Sequence, residues 1–148
     1  EENIDSILQK LNNLPESITE IHITGGVHPQ RDLYWYIELL KSIKRTRISA
    51  QIKAFTAIEI NYMCKKANKR IKEGLKLLKE AGLDSLAGGG AEIFNKEIRE
   101  KLCPEKGSAE MWLNIHKEAH LAGIISNATM LLKPRVRSRR RPISAAIL

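Results

Sequence analysis

Gly25 and Gly26, followed by Val27, His28 and Pro29, and the run Gly88-Gly89-Gly90 before Ala91 and Glu92 are the places where this sequence could do chemistry. Adjacent glycines bare backbone N–H and C=O groups and admit a ligand with no Cβ in the way. From composition alone, a tight βα turn is the plainer account of the first pair. Three glycines in a row are conformationally costly outside a special loop. That loop is not a P-loop, because the lysine and the G-x-G-x-x-G spacing are both missing. Glu92 suits hydroxyls instead, such as those of a ribose. Alternation along extended chain puts Asn127 and Thr129 on one face, and His22 and Thr24 on one face. Inside a barrel such residues surround a substrate; on an edge strand they are solvated.

His116 and His120 stand four residues apart, so one helix face presents two imidazoles. A metalloprotease helix has Glu directly after its first His, whereas Lys117 follows here, so surface or packing histidines are expected. Cys64 and Cys103 lie far apart, form no metal or redox motif, and are expected to be plain thiols in a reducing cytoplasm. Trp35, Trp112 and Phe94 read as core.

Four short apolar stretches must carry these groups: Glu20–Thr24, Gln51–Thr56, Leu83–Leu86 and Ile124–Leu131. Their centres step by roughly 30–40 residues, the interval of βα units. Helical stripes separate them. Leu33, Tyr36, Ile37, Leu40 and Ile43 make one; Ile71, Leu75, Leu78 and Ala81 make a second, stopped by Gly82; Met111, Ile115, Ala119 and Ala122 make a third, between Ser108 as N-cap and Gly123. A further helix from Ile4 to about Leu14 precedes the first strand. The order α(βα)₃β predicts an α/β fold with a parallel sheet, open or part of a barrel, whose ligands bind at the carboxyl ends of the strands.

The chain has 148 residues, 43% of them hydrophobic, enough for a globular domain with a core. No apolar run reaches the ~18 residues of a membrane span. Glu1-Glu2-Asn3 lacks the basic start of a secretion leader. The net charge of +8 is unevenly placed. Residues 133–148 hold one Lys, five Arg and no acid, leaving 19 basic against 17 acidic side chains before them. Such a tail can bind nucleic acid without sequence preference, but no aromatic is interleaved to stack on bases, so a specific nucleic-acid partner is not expected.

Four stretches together resemble the aminodeoxyfutalosine synthase family, radical S-adenosylmethionine enzymes of the futalosine route to menaquinone. They are Glu20-Ile-His-Ile-Thr-Gly-Gly-Val-His-Pro29, Ile52-Lys-Ala-Phe-Thr-Ala-Ile-Glu59, Ala81-Gly-Leu-Asp-Ser-Leu-Ala-Gly-Gly-Gly-Ala-Glu-Ile-Phe94 and Ser126-Asn-Ala-Thr-Met-Leu131. Trp112-Leu-Asn-Ile-His116 and Ala119-His120 are similar to its helix before the fifth barrel strand. Cyclic dehypoxanthinyl futalosine cyclases and deazaflavin-cofactor synthase subunits share the Gly-Gly turn and are the alternatives; a small basic nucleic-acid-binding module is another.

The resemblance implies a partial TIM-type barrel over residues 1–132, with about four parallel strands, and a basic tail over 133–148 unlike the family. It implies a 4Fe-4S cluster that cleaves S-adenosylmethionine. The 5′-deoxyadenosyl radical then adds to 3-[(1-carboxyvinyl)oxy]benzoate, giving 6-amino-6-deoxyfutalosine. By resemblance, Gly25 and Gly26 contact the methionyl amino group, Glu92 the ribose, His28 and Lys53 the substrate carboxylates, and Asn127 and Thr129 the pocket wall; no catalytic residue is assigned.

Two departures stand out. The family's Cys-x3-Cys-x2-Cys loop has no counterpart here, so no metal ligand is assigned and the chain alone is expected to be inactive. Where the family continues Tyr-Gly-His, this chain reads Leu132-Lys-Pro-Arg135. A shifted reading frame would produce such a change. Open sheet edges are expected to favour self-association.

Overall fold

A computed structural model describes residues 3–131. The elements run α1 (Ile4–Asn12), β1 (Glu20–Ile23), α2 (Leu33–Thr46), β2 (Gln51–Ala54), α3 (Ala57–Lys66), α4 (Ile71–Glu80), β3 (Ser85–Leu86), α5 (Lys96–Leu102), a 3₁₀ turn at Pro104–Lys106, α6 (Ala109–Leu121) and β4 (Ile125–Ser126). The four strands form one parallel sheet in the order β1-β2-β3-β4. Sequential order with helical crossovers is an arc of a barrel, as expected for an α/β chain of this pattern.

Side-chain alternation sorts the two faces. Ile52, Ala54 and Leu86 are buried toward the helices. His22, Lys53, Ser85 and Ile125 pair in register as one row across the sheet and occupy the opposite face. Leu33, Leu40 and Ile43 of α2, Ile60 and Met63 of α3, Leu75 and Leu78 of α4 and Ile115 of α6 are all within 1% of full burial against the sheet. This is the layer that the helical stripes predict.

The helix starts carry their own signals. Asn3, Asp32, Thr56, Asn95 and Ser108 each accept a backbone N–H through the side chain. Thr56 and Glu59 form a complete capping box, which starts α3. Gly82 and Gly123, at φ 108° and 73°, take the left-handed turns that end α4 and α6.

At the amino-terminal edge of the sheet, Asp84 holds the floor together. One carboxylate oxygen accepts from the Lys44 ammonium and from the Ile52 amide, both at 2.8 Å. Lys44 also donates to the Ala50 carbonyl at 2.8 Å. Burial opposes the charged form of Asp84, but Lys44 and the Ile52 amide outweigh it and hold the carboxyl below its ordinary range.

Three expectations are corrected. The fourth strand does not run from Ile124 to Leu131. It is Ile125–Ser126, and the chain then turns to a single bridge between Met130 and Glu92. Helices α3 and α5 are additional to the α(βα)₃β order. Phe94 is not core: it is 36% exposed, whereas Trp35 is half-buried against the core and Trp112 is buried. The basic stretch 133–148, and the domain boundary before it, lie outside the described residues.

Candidate functional site

In parallel βα sheets ligands bind at the carboxyl ends of the strands. At β2 the chain turns sharply through Phe55, a buried residue at φ 60°. A bulky side chain there stores roughly 1–3 kcal/mol of strain. It is held by its neighbours: the Ala87 amide donates to the Phe55 carbonyl at 3.0 Å, and Tyr36 meets the ring edge-on at 5.2 Å. Glu59 is fixed by the same turn, since its Oε2 accepts from both the amide and the hydroxyl of Thr56 at 2.8 Å.

Gly25 and Gly26 follow β1 and are exposed. They line a cleft of about 460 Å³ together with His28, Arg31, Tyr36 and Glu59. The Glu59 Oε1 stands 4.0 Å from where a Cβ of Gly25 would be. Arg31 stacks over Trp35 at 4.0 Å. Burial raises the Tyr36 phenol above its ordinary value, with Arg31 opposing.

The glycine run after β3 is built differently. A Cβ on Gly88 would stand 2.4 Å from the Asn127 carbonyl oxygen, so only glycine permits this approach of the β3 and β4 ends. Thr129 staples the two: its amide and hydroxyl both donate to the Gly88 carbonyl at 3.1 Å. Its own carbonyl accepts from the Glu92 amide at 3.2 Å, and the Glu92 carbonyl accepts from Leu131 at 2.9 Å. Glu92 itself sits at φ 49°. Its carboxylate accepts from the Gly90 amide at 3.3 Å and lies 3.9 Å from the Lys106 ammonium. Trp112 braces the run from behind, donating from Nε1 to the Gly89 carbonyl at 3.1 Å.

The sequence-expected residues thus fall into three groups. Gly25, Gly26 and His28 share the cleft; Glu92, Thr129 and the backbone of Asn127 share the glycine loop; Lys53 stands between them on the strand face, in register with His22. His22 is engaged by Glu20. Thr129 spends its hydroxyl on the Gly88 carbonyl, so it ties the loops rather than standing as a bare wall. Glu59, Arg31 and Arg99 were not singled out from the sequence. The Thr56-x-x-Glu59 spacing was a readable signal for Glu59.

His116 and His120 do not form a surface pair. His116 is buried, stacked on Trp112 at 3.7 Å, and both histidines reach the Ser126 hydroxyl at 2.8 Å. Burial, with His120 adding to it, lowers the His116 pKa to about 4. Both cysteines are buried, and burial pushes the Cys64 thiol up to about 11. Among the described residues no group of three or more His, Cys, Asp or Glu could hold a metal ion, and no helix is long and apolar enough to cross a membrane. The donors among these residues do not fit an iron–sulfur cluster.

A parallel arc with glycine-lined carboxyl ends defines a class, and the sequence comparison names it: the chain belongs to the Radical SAM superfamily, whose pattern matches residues 1–139. Within that class it is 50% identical over 114 residues to an aminodeoxyfutalosine synthase of Thermus thermophilus, covering 77% of this chain and 31% of that protein. It is also 42% identical over 116 residues to a 5-amino-6-(D-ribitylamino)uracil–L-tyrosine 4-hydroxyphenyl transferase of Methanocaldococcus jannaschii, with 76% and 32% covered. The corresponding transferase of Methanopyrus kandleri is 39% identical over 113 residues, with 76% and 31% covered. The chain spans about a third of the length of these relatives. Membership implies S-adenosylmethionine and a 4Fe-4S cluster in full-length members.

Proposed function

We propose that this chain carries part of the cofactor and substrate site of an aminodeoxyfutalosine synthase-like enzyme, one that transfers the adenosyl group of S-adenosylmethionine to 3-[(1-carboxyvinyl)oxy]benzoate. The 50% identity to the Thermus thermophilus synthase supports that member over the 4-hydroxyphenyl transferases, at 42% and 39%. In this reading Gly25 and Gly26 receive the methionyl amino group, Glu92 the ribose hydroxyls, and Lys53 and His28 the carboxylates of the benzoate substrate. Asn127 and Thr129 shape the wall. The chain alone binds and does not turn over.

The observation that carries this reading is the Glu92 loop. A carboxylate tethered to the Gly90 amide, on a loop stapled at both strand ends, is a preorganised acceptor for a diol. Calorimetric titration with S-adenosylhomocysteine tests it. The chain is expected to bind, and Glu92→Ala to lose about tenfold in affinity, the worth of one or two hydrogen bonds. No binding by the wild-type chain, or binding indifferent to Glu92→Ala, overturns it.

A further inference from the structure

Arg99 lies on the short helix α5, is 2% exposed, and has no carboxylate among its partners. A guanidinium has five N–H donors, and a buried one is tolerated only when they are satisfied. Here all five go to backbone carbonyls. Nε reaches Gly107 at 2.6 Å; Nη1 reaches Ala91 at 2.6 Å and Ile93 at 3.1 Å; Nη2 reaches Gly90 at 2.8 Å and Lys106 at 3.2 Å.

The acceptors are not scattered. Gly90, Ala91 and Ile93 bracket Glu92, and Lys106 is the residue whose ammonium faces the Glu92 carboxylate. One side chain therefore fixes the backbone on both sides of Glu92 and the backbone of its cationic neighbour. Glu92 needs that support, because its φ of 49° is a conformation that a side-chain-bearing residue rarely adopts.

We infer that Arg99 is the positioning residue of the nucleoside site: it acts through Glu92, by holding the Gly90–Ile93 backbone in the one conformation that presents the carboxylate to a vicinal diol. This rests on the reading of Glu92 given above. It predicts that Arg99 and Glu92 are energetically coupled, which a merely structural arginine is not.

The test is a double-mutant cycle in the full chain, read by titration with S-adenosylhomocysteine. Arg99→Lys keeps the charge but loses the planar fork. It is expected to weaken binding about tenfold in the wild-type background and less than about twofold in Glu92→Ala, the mark of coupled residues. Lys44→Met, at the opposite edge of the sheet, lowers stability and leaves affinity unchanged. Equal losses in both backgrounds, or none in either, overturn the inference. Amide exchange reads the same point without a ligand, so failure of the wild-type chain to bind counts against the function and not against the clamp. In Arg99→Lys the Glu92 and Leu131 amides are expected to exchange at least about tenfold faster while the Ile52 amide keeps its protection. Unchanged protection at Glu92 overturns the clamp.

Discussion

Lys44 and Asp84 stand 40 residues apart in sequence and 2.8 Å apart in space, and the same carboxylate oxygen takes the amide of Ile52. Removing it unpairs a strand amide and leaves the half-buried Lys44 ammonium with its bond to the Ala50 carbonyl but without the counter-charge. Asp84→Ala is therefore expected to cost about 1–3 kcal/mol in urea unfolding. The sign of the pH effect follows from the lowered pKa. Asp84 stabilises the fold above its ordinary value of 3.8, and that contribution fades as the pH falls through the folded value. An Asp84 variant whose stability below pH 4 drops as steeply as the wild type's would contradict this.

His116 titrates in a different window. Its pKa is lowered from 6.5 to about 4, so the unfolded chain takes up a proton that the folded chain refuses. Its contribution is intact above pH 6.5 and is lost progressively as the pH falls toward 4, with a limiting slope of about 1.4 kcal/mol per pH unit. His116→Phe keeps an aromatic ring against Trp112 and removes the titration. Thermal unfolding of the two proteins from pH 7 to 4 is expected to converge as the pH falls; parallel curves would rule the histidine out.

Gly88→Ala should force the β3 and β4 ends apart, because the new methyl meets the Asn127 carbonyl at 2.4 Å. The expected cost is about 2 kcal/mol or more. Loss of protection at the Thr129 and Glu92 amides is the accompanying sign; a stability within experimental error of wild type would show that the two loops tolerate separation.

The sequence made some of this visible and hid the rest for physical reasons. The α2 stripe is legible because Leu33, Leu40 and Ile43 recur at helical spacing and all are buried. The run from Ile124 to Leu131 reads as one long strand because hydrophobicity does not record direction. The Thr129 staple bends it away after Ser126 and leaves Met130 and Leu131 at 50% and 57% exposure. Helix α3 buries only Ala57, Ile60, Met63 and Cys64 over ten residues, a weak stripe, and its start is announced by a capping box instead. Arg99 was illegible because its partners are carbonyls, which every residue has. A charged residue in a polar helix reads as surface until the backbone of another loop is brought to it.

Reconstitution with iron and sulfide under anaerobic conditions is expected to leave no cluster on this chain. Three thiolates on one site are required, and Cys64 and Cys103 are both buried, the first with its thiol pushed up to about 11. Stoichiometric iron and sulfide with the broad visible absorption of such clusters would refute this.

Among the described residues the sheet has two outer strands, β1 and β4. With β4 only two residues long, it offers little backbone for pairing, but Ile125 is 68% exposed on it. We expect concentration-dependent self-association in sedimentation velocity, reduced by Ile125→Lys. A wild-type chain that sediments as a monomer at high concentration would count against it.

The anchors of this sheet answer acid differently. The floor at Asp84 and the imidazole under Ser126 both change charge between neutrality and pH 4 or below. The bolts that Arg99 drives into the glycine loop end on peptide oxygens, which take up no proton in that range and have no counter-charge for salt to screen. Acidification should thus loosen the Asp84 floor and the Trp112–His116 stack beside the glycine loop, while the Arg99 bonds to the Gly90 and Ala91 carbonyls persist.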